Sequence, residues 1–213
     1  AEWTANANDN EYQLEASSFN SAQKDYATAI SNGKTLVFSS DREDATGNEA
    51  YKWFGDKFSD LYQVDLKTNT LTPLPESINS DYNEGSVSFS ADGNRIYFSR
   101  CGSDNKKGIS DYCRIYYAIR NNTGWSKPRT VGFLQESANY VHPYWDEDTQ
   151  RLYFSSDDER GFGKFDLYYS QKSEDGWSQP YNLGTKVNTK GSELWPFVKG
   201  DTLFFASSGH AGM

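Results

Sequence analysis

Three carboxylates stand at roughly equivalent places in a repeating sequence: Asp25, Glu84 and Glu193 each fall just before the innermost strand of a unit. Acidic side chains that converge on a channel can act as the acid and base of glycosidic cleavage. Their recurrence in most units fits a structural duty better, such as capping the turn into the inner strand. Only two histidines are present. His142, in VHPYW, belongs to a segment leading into a unit and is expected near a central channel with Tyr144, and His210 lies in the turn SGHAG. A lone histidine in such a place is more often a hydrogen-bonded structural residue than a catalyst. With Trp195, the residues Glu84, His142, Tyr144 and Glu193 make up the candidate channel or partner face. No catalytic residue is assigned, because nucleophile elbow, phosphate loop, metalloprotease helix and dinucleotide fingerprint are all missing. The acidic, Gly-rich loop from Asp157 to Asp166 raises calcium. It lacks the alternating oxygen ligands of a calcium loop, so no cofactor is expected and calcium stays a secondary reading.

These residues are positioned by a short strand pattern that recurs four times: GKTLVFSS from Gly33, GNRIYFSR from Gly93, QRLYFSS from Gln150 and GDTLFFAS from Gly200. Its central Phe falls at Phe38, Phe98, Phe154 and Phe205. After each of the first three copies come a Gly- and Asp-rich loop and a second strand, at Asp60-Leu61-Tyr62, Arg114-Ile115-Tyr116 and Asp166-Leu167-Tyr168. A further strand closes on Trp-x-x-Pro at Trp125 and Trp177, and the first unit has Thr70 to Pro73 there. A last segment leads by a hairpin into the next copy. Four short strands per unit, with no helical period in competition, predict an all-β chain of four-stranded antiparallel propeller blades. The alternative is a β-sandwich. A blade buries its faces only against neighbours, which assigns Phe38, Phe98, Trp125, Phe154, Trp177 and Phe205 to the seams between blades.

Cys101 and Cys113 flank the loop between two strands that should be antiparallel neighbours. Such positions approach within about 6 Å, as a disulfide requires, and the spacing predicts one. The alternative is a pair of reduced thiols; zinc would want more ligands than two Cys with no nearby His supply. A bridge implies an oxidising compartment, such as a periplasm or cell surface.

The 213 residues carry 30 acidic and 21 basic side chains, a net charge of −9. Nucleic acid needs a basic face, and none is visible. No apolar run approaches the roughly 20 residues of a membrane-spanning helix.

The runs LYFSSDDERGFGKFDLYYS, DGWSQPYNLGTKVNT, SELWPFVKGDTLFFASSGHAG and FNSAQKDYATAISNGKTLVFSSDRE resemble the WD40-like β-propeller of OmpA-family, peptidoglycan-associated outer-membrane proteins of Bacteroidetes-type bacteria. The resemblance covers about residues 11–213. It implies a periplasmic protein-docking platform associated with the outer membrane, of the kind found in type IX secretion, protein transport and gliding motility, with envelope proteins as partners. Members usually add helical repeats and a peptidoglycan-binding domain, so contact with peptidoglycan would need a domain outside this chain. The lipoprotein Cys of the family is not at the start, which reads Ala1-Glu2-Trp3.

The expectation is therefore a non-enzymatic propeller scaffold. Residues 1–24 form a leader whose Tyr12 to Ser18 is an outer strand of a neighbouring blade, and residues 25–213 hold three and a half repeats. The sequence is expected to be part of a longer polypeptide carrying an incomplete propeller. The rivals are a glycan-binding or glycan-cleaving propeller and a gating propeller attached to a peptidase. Carboxylates tied to backbone amides would count against cleavage.

Overall fold

The computed structural model describes residues 15–46, 58–102 and 112–211, and every regular element among them is a β-strand. Strands β1 (Asp25–Ser31), β2 (Thr35–Ser40), β3 (Asp60–Asp65) and β4 (Thr70–Pro73) pair in chain order as one antiparallel sheet. The second sheet contains β5 (Asn83–Phe89), β6 (Arg95–Cys101), β7 (Arg114–Asn121), β8 (Gly124–Trp125) and β9 (Arg129–Thr130). The third repeats this with β10 (Tyr140–Asp146), β11 (Arg151–Ser156), β12 (Asp166–Ser173), β13 (Gly176–Trp177) and β14 (Tyr181–Asn182). A fourth holds β15 (Glu193–Lys199) and β16 (Thr202–Ser207). The first residue of each repeated pattern, Gly33, Gly93, Gln150 and Gly200, has positive φ in the tight turn between inner and second strand. Glycine takes that conformation without a Cβ clash, and Gln150 is the exception that tolerates it.

The outer strand expected to close on Trp-x-x-Pro is broken in two. β8 and β9 both pair with β7, and β13 and β14 both pair with β12. Proline has no N–H to give the ladder, and the serine two residues before it bridges the gap. The Ser126 amide donates to Ile119 O at 2.8 Å while its hydroxyl accepts from the Ile119 amide at 3.1 Å. Ser178 and Gln171 repeat the exchange.

Alternation along each second strand sends side chains into two different seams. Val37 joins Ile96 and Phe98 between the first and second sheets, and Tyr97 joins Leu152 and Phe154 between the second and third. Trp125 packs half-buried in the first seam, and Trp177 meets Tyr97, Phe133 and Trp145 edge-on in the second. Phe38, on the far side of the first sheet, is covered by Phe19 with ring centroids 5.7 Å apart. Phe205 departs from the seam assignment, since it is only half-buried: β16 has no paired third strand among the described residues. Of the expected leader strand, residues 12–14 lie outside the described residues and Glu15–Ser17 are irregular.

Three asparagines fasten one unit to the next. The Asn79 side chain accepts from the Leu61 amide and donates to Leu61 O and Leu74 O, and Asn188 treats Leu167 in the same way. Asn139 accepts from the Cys113 amide. Cys101 and Cys113 form the expected disulfide, with Cα atoms 4.1 Å apart across the ends of β6 and β7.

Candidate functional site: a cavity lined by the inner strands

Each inner strand carries one extra residue relative to its partner, and beside that bulge sits a non-glycine residue in the left-handed region. These are Ala27, Ser86, His142 and Trp195, with φ of 55°, 45°, 54° and 57°. Left-handed backbone costs an L-residue about 1–2 kcal/mol, so its recurrence in all four sheets marks an architectural rule of the fold. All four residues line one cavity of about 650 Å³, together with Thr28, Ile30, Pro143, Tyr144, Pro196 and Phe197 among others.

The walls are aromatic and apolar. The His142 imidazole stacks on Trp195 with centroids 3.9 Å apart, and Tyr144 meets Phe197 edge-on at 5.1 Å. Backbone contacts fix the frame across sheets. The His142 amide donates to Ser99 Oγ at 3.1 Å, the Trp145 amide to Ser88 Oγ at 2.9 Å, and Tyr144 Oη to Val198 O at 2.7 Å. His142 Nδ1 is buried with no hydrogen-bond partner, and burial pushes the imidazole down to about 3. The ring is neutral at physiological pH and presents a flat face rather than a charge. Trp195 and Phe197 remain 39% and 47% exposed.

Glu84 and Glu193 are not part of this lining, which corrects their placement on the channel face. Both are fully buried, and each is held by a turn four residues earlier. Glu84 accepts from the Ser80 amide at 3.1 Å, the Ser80 hydroxyl at 2.5 Å and Arg100 Nε at 2.5 Å. Glu193 accepts from the Thr189 amide at 2.9 Å, the Thr189 hydroxyl at 2.7 Å and the Ser207 hydroxyl at 2.6 Å. Asp25 repeats the clasp with Ser21 and adds an ion pair to Arg42 at 2.9 Å. Burial pushes Glu84 up to about 8 against the pull of Arg100 and Ser80. For Glu193 burial also pushes upward, but the Ser207 and Thr189 donors and nearby His210 outweigh it and the carboxyl lies below the ordinary glutamate range. An acid and base pair needs free oxygens facing a substrate; these carboxylates spend theirs on the fold.

His210 is likewise a structural contact, with Nε2 2.8 Å from Val187 O. In the acidic loop, Asp157 accepts from the Asn139 amide and side chain, Asp158 pairs with Arg160, and Asp166 accepts from the Phe162 and Gly163 amides. Among the described residues no three His, Cys, Asp or Glu side chains group to hold a metal ion, and no helix is long and apolar enough to cross a membrane.

Sequence reasoning missed Ala27, Ser86 and the two prolines as lining. A signal was present: each bulge residue follows Asp25, Glu84 or Glu193 by two positions, and His142 stands in the same relation to Tyr140.

No protein-family model matches the chain, and no curated protein sequence does. Solved structures match it in shape. TolB from Acinetobacter baumannii aligns over 88% of this chain and 41% of its own length, at 16% identity and a TM-score of 0.52. A putative TolB from Agrobacterium tumefaciens aligns over 86% and 54%, at 17% identity and 0.56. The fold is a β-propeller. A puromycin-hydrolyzing peptidase of Mycobacterium tuberculosis aligns over 87% of the chain and 28% of its own, at 14% identity and 0.54. This chain thus spans about half of those proteins or less, and the likeness is one of fold.

Proposed function

We propose that the chain is a non-enzymatic propeller module that docks protein partners at a bacterial envelope. The observation that carries this reading is the cavity: four inner strands turn neutral, largely apolar side chains into one space, while the recurring clasp residues Asp25, Glu84 and Glu193 are consumed by backbone and hydroxyl donors. Such a site suits a protein segment better than a reaction needing a proton donor and acceptor. The Cys101–Cys113 bridge supports an oxidising compartment, which for an envelope protein is the periplasm or the cell surface. The finer assignment, an OmpA-family propeller of the type IX secretion and gliding apparatus associated with the outer membrane, rests on the sequence resemblance alone. The proposal includes no cofactor.

A photo-crosslinking residue at Trp195 in the full-length protein, irradiated in intact envelopes, should give a discrete adduct with an envelope protein. The same residue at the exposed Leu66 should give none. The reading fails if position 195 yields no adduct, or if the purified protein cleaves a glycan and loses that activity on Glu84→Gln or Glu193→Gln substitution.

A further inference from the structure

The chain carries 30 acidic and 21 basic side chains, yet among the described residues no Asp, Glu, Lys or Arg lines the cavity between the inner strands. Burial keeps His142 neutral there as well. A charged occupant would leave water for a space that holds no counter-charge, so the matching occupant is uncharged.

Hydrogen-bonding side chains in the wall are also few. Tyr144 Oη is spent on Val198 O and Trp145 Nε1 on Glu147. What remains is the His142 imidazole and the hydroxyls of Thr28, Ser86 and Ser88. A neutral imidazole carries one N–H. On Nδ1 that proton would be buried without an acceptor, so it belongs on Nε2, the ring nitrogen that stays accessible. His142 therefore offers the cavity a donor.

An extended segment brings one N–H and one C=O per residue, and each N–H left unmet in an apolar space costs about 1–3 kcal/mol. Proline brings the carbonyl without the N–H. A run of prolines also holds the polyproline II form before it binds, and aromatic-lined grooves recognise that form. Here the exposed rings of Trp195 and Phe197, with Tyr144 edge-on to Phe197, supply the aromatic wall.

We propose that the cavity receives an uncharged, proline-rich segment of an envelope partner in polyproline II form, and that His142 Nε2–H donates to one of its carbonyls. This names the partner chemistry of the docking site and rests on reading the chain as a docking module.

The probe is a capped, fluorescently labelled octaproline, titrated into the purified full-length protein. Anisotropy should show saturable binding. Two matched peptides leave the protein untouched: octaproline with Glu at its two central positions, and an octapeptide alternating Leu and Ser, which keeps every N–H. Each should bind at least about tenfold more weakly, the scale of one unmet polar group. His142→Phe retains a ring against Trp195 and removes the donor; it should weaken octaproline about fivefold, the scale of one hydrogen bond. Circular dichroism at pH 7 checks that this variant folds, and the peptide comparisons decide the matter without it. The proposal is overturned if octaproline does not bind, if either matched peptide binds equally well, or if folded His142→Phe binds octaproline unchanged. A Trp195 adduct with an envelope protein that forms although octaproline fails to bind removes only the proline assignment, whereas loss of the adduct removes the docking reading itself. An adduct suppressed by excess octaproline supports both.

Discussion

The hairpins β5–β6 and β15–β16 are built from the same pattern and bulge at the same place, yet they sit in opposite surroundings. In the first, Phe98 is fully buried between two sheets; in the second, Phe205 is half-open and Phe204 mostly so. Across the strand pair Glu84 faces Arg100, and at the corresponding positions Glu193 faces Ser207. The sealed hairpin answers its buried carboxylate with a cation, while the open one uses a neutral hydroxyl and stays below the ordinary glutamate range. Pattern alone thus specifies a hairpin and its clasp, and the neighbouring sheet decides how much stability either supplies.

Several substitutions can break that contrast. The largest effect is expected from Phe98→Ala, which should cost about 3–5 kcal/mol in denaturant unfolding, as aromatic-to-alanine changes in cores do, whereas Phe205→Ala should cost only about 1 kcal/mol. Equal losses would mean that β16 is covered in solution. Next, Glu84→Gln turns an amide donor toward the Ser80 amide or the Arg100 guanidinium in a fully buried site and should cost about 3 kcal/mol; Glu193→Gln keeps neutral partners and should cost about 1 kcal/mol. Comparable values would erase the distinction between cationic and neutral clasps. Reducing the Cys101–Cys113 bridge, or replacing both residues by Ser, should lower stability by about 2–3 kcal/mol, because the loop it closes is short. The loss should appear in the second sheet's exchange rates before that of the fourth.

The last effect concerns pH and appears only on acidification. Unfolded His142 takes up a proton near its ordinary value of 6.5, while the folded residue does so only at about 3. Stability should therefore fall as pH drops from 6.5 toward 3 and be unaffected by this group above that window. His142→Phe keeps a ring against Trp195 and should flatten the thermal melting temperature across the same range. An unchanged slope would show that the imidazole is solvated.

The blades were legible because their cause is local. Phe38, Phe98 and Phe154 recur in one pattern, and the strands that pair with them recur in one order, so periodicity exposes both. The cavity was only half legible. His142, Tyr144 and Trp195 were found because VHPYW and LWPFV are unusual strings; Ala27 and Ser86 were not, since Ala, Ser, His and Trp share no chemistry and a dihedral angle leaves no letter behind. Glu84 and Glu193 were misplaced for a related reason. Residue type reports a charge, but its direction is set by the Ser80 and Thr189 turns folding back on it. Phe205 carries the same letters as its buried counterparts and differs only in its neighbours.

The recurring left-handed kink has a consequence for how such a protein can change. Unbranched residues bear a similar backbone cost there, Asn and Asp less and β-branched residues more, so exchanges among the unbranched ones disturb the sheet little. The side chain nonetheless projects into the shared space, as Ala27, Ser86, His142 and Trp195 all do. Four separate letters can be rewritten while the frame around them stands still, and what the interior accepts can drift without the fold being renegotiated.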